Sequence, residues 1–145
     1  MKTTVKVSGL KELDAALSQF TERKRRAIGR VALQNAGEIM AKEARALVPK
    51  DTWALHESID VSGTLAPSTK PSHQKKAEQE RFVGPDARPY AHIVEFGGNG
   101  AAPRPYLRPA FDQTKGAVVQ RIQDELWMGI EKAIKASARK AAKGK

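Results

Sequence analysis

The sequence predicts an α+β fold, with two long helices packed on a small antiparallel sheet that carries an extended, mobile hairpin loop. Three observations predict it. Apolar residues step by three and four along two long stretches, which is the period of an amphipathic helix. Two short runs with alternating apolar residues, His56–Leu65 and Glu80–Gly84, flank a polar segment and read as paired strands. The length of 145 residues and a hydrophobic share of 40% suit one domain built on a single core.

Taken in order, Thr3-Thr4-Val5-Lys6-Val7 alternates and is β-branched, so it reads as a short strand that Ser8-Gly9 breaks. Leu10, Leu13, Leu17 and Phe20 then give a short amphipathic helix. A longer helix starts at Thr21 or Glu22 and runs to Val48, with Ile28, Val31, Ala32, Ala36, Ile39, Met40, Ala44 and Leu47 on its apolar positions. Pro49 ends it, because the ring is excluded from a helix interior and turns the preceding residue away from helix. At 1.5 Å per residue this element is more than about 35 Å long.

In His56–Leu65, Ile59 and Val61 are expected on one face and Ser58, Asp60 and Ser62 on the other. Residues Ala66–Gln79 hold no large apolar side chain and read as a long mobile loop, the tip of the hairpin that Glu80–Gly84 closes. The last helix begins with Pro105 or Pro109 in its first turn, where a missing N–H costs nothing. It carries Phe111, Val118, Ile122, Leu126, Trp127, Ile130 and Ile134, with Trp127 expected in core or helix packing, and ends at about Ala136. Residues 1–136 are thus read as one domain and 137–145 as a basic, disordered tail.

The formal net charge of +10 is concentrated. Residues 21–30 hold five basic residues and one Glu, and residues 131–145 hold six basic residues and one Glu, so +9 of the +10 lies in two short segments. Arg23, Lys24, Arg25, Arg26 and Arg30 crowd the start of a helix, where the dipole favours acids. Contact with an acidic partner or with phosphate would relieve that placement, and a solvated helix face is the plain alternative. There are no cysteines, which excludes disulfides and thiolate metal sites and fits a reducing compartment. No apolar run is long enough to cross a bilayer, and Met1-Lys2-Thr3-Thr4 has no apolar region behind it, so a soluble chain with no membrane partner is expected.

Catalytic chemistry finds little to use. His56, His73 and His92 are not spaced as a metal set, and His92 with Glu95 is a single i, i+3 pair better explained as structure. Phe96-Gly97-Gly98-Asn99-Gly100 follows a helix instead of preceding one and matches neither phosphate-loop pattern, so it reads as a helix end in left-handed glycine followed by a turn. No nucleophile elbow is present. Neither a helix-turn-helix, a zinc finger nor an aromatic-plus-basic stacking surface is recognisable, which disfavours sequence-specific DNA readout.

Arg81–Phe111 stands out instead. It holds both tyrosines, five of the eight prolines and three of the four phenylalanines in about a fifth of the chain. Stiff backbone interleaved with Tyr and Arg suits a fixed surface that meets another chain.

The residues fall into a recognisable order: Val5, Val7, Gly9, Leu10 and Leu13, then a long helix closed by Val48-Pro49. A P-x-x-T-x-x-L-x-x-S-I box follows at Pro49, Thr52, Leu55, Ser58 and Ile59. Val83-Gly84-Pro85 comes next, then Tyr90-Ala91 with Val94-Glu95-Phe96-Gly97, and then Pro105-Tyr106-Leu107-Arg108-Pro109-Ala110. Over about residues 3 to 135 this resembles the tail-completion, or head–tail joining, proteins of long-tailed bacteriophages, the minor tail proteins of HK-type lambdoid clusters. Trp53 departs from that pattern, since the family usually has glycine there, which implies a turn or a close backbone approach that Trp53 does not share with it.

The resemblance implies an α+β virion protein made in the host bacterial cytoplasm and placed at the head–tail junction. It would be a homo-oligomeric ring, a hexamer by the tail's symmetry, touching the head-side connector or stopper protein and the tail terminator or tail tube. It also implies no catalytic residues and no cofactor. One subunit contact is expected on the 85–111 segment, through Tyr90, Glu95, Phe96, Arg104, Tyr106 and Arg108. A second is expected on the 64–79 hairpin tip, through Lys70, His73, Lys75 and Lys76. The competing reading is a basic nucleic-acid-associated module that contacts packaged DNA non-specifically through the residue 21–30 cluster.

Overall fold

A computed structural model describes residues 9–50, 53–65, 67, 70–86 and 90–144. The strand expected at Thr3–Val7 and Thr52 of the box lie outside the described residues. The elements are α1 (Leu10–Ser18), α2 (Glu22–Leu47), α3 (Trp53–Ser58), β1 (Asp60–Ser62), β2 (Phe82–Gly84), α4 (Ala91–Phe96) and α5 (Leu107–Lys143), with a 3-10 turn at Lys70–Ser72. The α+β expectation holds: long helices pack on a two-stranded antiparallel sheet.

The spine is the α2–α5 pair, and it runs antiparallel. Ala41 and Ala44 near the end of α2 share a core with Tyr106 and Ala110 at the start of α5. At the opposite end Ile28 lies against Gly129, and Lys24 Nζ is 3.3 Å from Ser137 Oγ. The buried positions of α2 are Ala32, Ala36, Gly37, Ala41 and Ala44, all small, so neighbouring elements come in close. A Cβ on Gly129 would sit 2.6 Å from Ile28 Cγ2, and one on Gly37 would sit 2.8 Å from Val61 Cγ1. Glycine at these two points sets how near α5 and the hairpin approach α2. As expected, α2 stops before Pro49: Val48 is extended, with φ −63° and ψ 138°.

The hairpin pairs Asp60 with Gly84, Val61 with Val83 and Ser62 with Phe82. Val61 and Val83 point at Gly37, while Asp60 and Ser62 are exposed. Arg45 closes the edge of β1 that β2 does not cover, donating from Nε and Nη2 to the Ile59 carbonyl at 2.9 and 2.6 Å, and Gln34 donates to the Val61 carbonyl at 3.3 Å. Side chains of α2 thereby satisfy a strand edge that would otherwise be free to pair.

Three expectations need correction. The strand expected over His56–Leu65 is shorter, because residues 53–58 form α3 and only Asp60–Ser62 is strand. An extended chain would put Glu57 on the same face as Leu55, Ile59 and Val61. The helical turn buries Leu55, Ser58 and Ile59 and leaves Glu57 exposed. Trp53 is the first residue of this helix, 60% exposed, with its ring edge-on to His56 at 5.4 Å.

The second correction concerns the segment read as a long mobile loop with too little apolar surface to order itself, since its described return limb is tied by polar contacts instead. The Glu80 carboxylate accepts from Lys76 N (2.8 Å), Ala77 N (3.2 Å) and His73 Nε2 (2.8 Å), and Arg26 of α2 pairs with Glu78. Polar residues hold this limb through hydrogen bonds where no apolar side chain could. The third is the C-terminus: α5 continues past Ala136 to Lys143, where a disordered tail was expected. Ala, Lys and Arg are strong helix formers, and Lys140 and Lys143 suit the negative end of the dipole.

The main core gathers Ala41, Ala44, Val48, Leu55, Ile59, Val61, Ala91, Tyr106 and Ala110, with Val83, Tyr90, Val94 and Leu107 packed around it. It lies where the hairpin, α3, α4 and the start of α5 meet the last turns of α2.

Candidate functional site

The corner between α4 and α5 is built around Glu95, which is only 2% exposed. Its Oε2 accepts from the backbone N–H of Tyr106 at 2.8 Å and Leu107 at 2.9 Å. Its Oε1 accepts from Arg108 N at 3.1 Å and from the Arg108 side chain Nε at 3.2 Å. The first N–H groups of a helix have no partner within the helix, and a carboxylate there also meets the positive end of the dipole. Pro109 has no N–H, so a further orphan donor is absent, and Ala110 N then makes a bond to Tyr106 O at 3.2 Å. Glu95 thus caps α5 from eleven residues before Tyr106, a job that no side chain at Tyr106 itself performs.

Burial pushes the Glu95 carboxyl up, but the three backbone N–H groups and the Arg108 guanidinium together outweigh it. The net pKa lies below the ordinary carboxylate value.

The chain between Glu95 and Tyr106 is fixed in steps. Gly97 ends α4 at the glycine expected from the sequence, with positive φ (+78°) but ψ 172° in place of the left-handed helical value. Gly98 and Ala101 exchange backbone bonds of 3.1 and 2.9 Å around Asn99 (φ 51°) and Gly100 (φ 81°), the tight turn that Asn-Gly favours. Arg104 N then donates to Val94 O at 2.8 Å. Tyr106 is fully buried; burial, then the nearby charge of Glu95, raises its hydroxyl to about 12. That hydroxyl has no hydrogen-bond partner among the described residues.

Outside this corner lies a surface. Phe96 is 64% exposed, and the Arg108 guanidinium sits 4.9 Å from its ring centroid. Next to them a groove of about 1130 Å³ opens between the hairpin and the corner, lined among others by Asp60, Ser62, Phe82, His92, Phe96 and Leu107. An exposed aromatic held by an arginine beside a partly apolar hollow is the chemistry of protein contacts.

The residues singled out from the sequence therefore divide. Phe96, Arg104 and Arg108 are exposed on the corner, and Tyr90 is half-buried against the core. Glu95 and Tyr106, expected at a subunit contact, lie inside the single chain, one as a helix cap and the other as core. Lys70, His73, Lys75 and Lys76 are exposed on the hairpin loop, with His73 engaged by Glu80. Arg23, Lys24, Arg25, Arg26 and Arg30 are exposed along the first turns of α2, and Arg26 pairs with both Glu22 and Glu78.

The capping role of Glu95 was the element missed in the sequence. Its signal was there: an acid just before the Gly turn, followed by an α5 start that offers no capping side chain of its own. Among the described residues no group of three His, Cys, Asp or Glu could hold a metal, and no helix is long and apolar enough to cross a membrane.

A family model described as "Bacteriophage HK97-gp10, putative tail-component" matches residues 11–97, more than half of the chain. No curated protein and no solved structure matches.

Proposed function

The chain belongs to the HK97 gp10-like family of bacteriophage tail components, and from that premise we propose that it is a structural joint of the phage neck. It completes the tail and connects it to the head-side connector as a ring of identical subunits, six in number to match the tail. It acts by shape and contact and not by catalysis. Its other neighbours are the tail terminator or tail tube, and its place is the head–tail junction of the virion.

The family match carries this reading, and the exposed Phe96–Arg108 pair beside its groove supports it. A ring closes through a heterologous interface, so each subunit needs two unlike faces. The corner supplies one, presented rigidly because Glu95 fixes it from behind. The hairpin loop with Lys70, His73, Lys75 and Lys76 supplies the other.

Electron microscopy of particles assembled without this protein tests the reading. Separate filled heads and complete tails are expected, and intact virions would overturn it. Native mass measurement of the purified chain, alone and with tails, reads the ring directly.

A further inference from the structure

The two basic segments lie over a hundred residues apart in sequence, yet the antiparallel α2–α5 pair brings them to one end of the molecule. Lys24 and Ser137 are in contact there, and Ile28 packs on Gly129. Arg23, Lys24, Arg25 and Arg30 are exposed on α2, as are Lys132, Lys135, Arg139, Lys140 and Lys143 on α5. Local acids do little to offset them: Glu22 and Glu78 are both engaged by Arg26, and Glu131 is the only acid from 131 onward. We propose that this end of the α2–α5 pair is a single composite surface that binds the phosphate backbone of duplex DNA without reading its sequence.

Three features favour duplex phosphates over other polyanions. Cations at the start of α2 sit on the positive end of its dipole, and Thr21 offers no side-chain cap, so an anion laid across this end meets both charge and free N–H groups. Val31, Trp127, Met128 and Ile134 are exposed on the inner part of this end. Beyond Ile134, however, the tip of α5 holds only Ala, Ser, Lys and Arg up to Lys143, so its outermost part lacks the apolar or aromatic anchors that a protein interface centres on. Residues 131–145 have no aromatic, and the flanking stretches offer only Phe20, already covered by Lys24 at 6.0 Å from its centroid, and the exposed Trp127. These are too few for a track of stacked bases, which disfavours single strands. A row of exposed Lys and Arg on two helices is what counterion release from a duplex requires.

The test uses the full chain and a 30-base-pair mixed-sequence duplex, followed by fluorescence anisotropy between 50 and 200 mM salt. One variant carries Arg23→Gln, Arg25→Gln and Arg30→Gln; a second carries Lys135→Gln, Arg139→Gln and Lys140→Gln; a third carries all six. Circular dichroism confirms that each retains its helices.

Six phosphate contacts should make affinity fall about 10³-fold over that salt range, and three contacts only about 40-fold. Each triple variant should therefore show the shallower slope, and the sixfold variant should lose binding. No duplex binding at 50 mM salt overturns the proposal. So does a slope that depends on one helix alone, because the surface would then not be composite. Retention on poly-glutamate with none on duplex overturns it in favour of an acidic protein partner.

Discussion

The α4–α5 corner and the basic end of the α2–α5 pair both depend on charge, and they use it in opposite ways. At the corner a buried carboxylate is fully answered within the chain, by three backbone N–H groups and one guanidinium. At the basic end most cations face solvent, and among the described residues there Arg26 alone pairs with two carboxylates. A charge satisfied internally fixes shape, because removing either partner strands the other in a poorly solvated place. Charges held out in water contribute little to the fold and stay available to something outside. The most conspicuous part of the sequence therefore holds an internal scaffold around Glu95 and Tyr106, and it presents residues 98–105 outward beside Phe96 and Arg108.

The widest separation of the two regions comes from removing the cap. Glu95→Ala leaves three N–H groups and an arginine without their acceptor and should cost about 3 kcal/mol, lowering the melting temperature by about 10 °C for a chain of this size. Neutralising Lys140 at the other end should leave the melt unchanged. A calorimetric scan of both variants checks the contrast, and equal melts would break it.

Gly37→Ala comes next. Its Cβ would press on Val61 Cγ1 at 2.8 Å, costing about 1–3 kcal/mol if the hairpin is held. If the hairpin yields, the better helix propensity of Ala would instead stabilise the chain by up to about 1 kcal/mol. Chemical denaturation gives the sign.

Acid sharpens the comparison further. The folded-state pKa of Glu95 is lowered, so its contribution is fully present above the unfolded carboxylate value of 4.5 and is lost as pH falls through the folded one. Melting temperature should drop over that window in the native chain, and the drop should be smaller in Glu95→Gln. An identical profile for both would place the acid sensitivity elsewhere. The smallest effect on stability is expected from Phe96→Ala, within about 0.5 kcal/mol because the ring is exposed. That variant should nonetheless fail to join heads to tails, as counted by electron microscopy.

Much of this molecule is legible locally. The three-and-four spacing gave α1, α2 and α5, Pro49 and Gly97 marked helix ends, and the alternation at Ile59 and Val61 pointed to a strand. The ordered motifs also indicated the family, which the match over residues 11–97 supports. These features are legible because helix period, proline sterics and glycine's access to positive φ act within a few residues.

Tertiary structure decided the rest. Leu55 takes a helical turn because the core wants it beside Ile59 without Glu57. Glu95 becomes a helix cap only once the Asn99-Gly100 turn brings α5 back to α4. Lys24 and Ser137, 113 residues apart, meet only because two long helices pair antiparallel. Each of these rests on a contact closed over a distance that no local preference encodes, so the chain had to be folded before it could be seen.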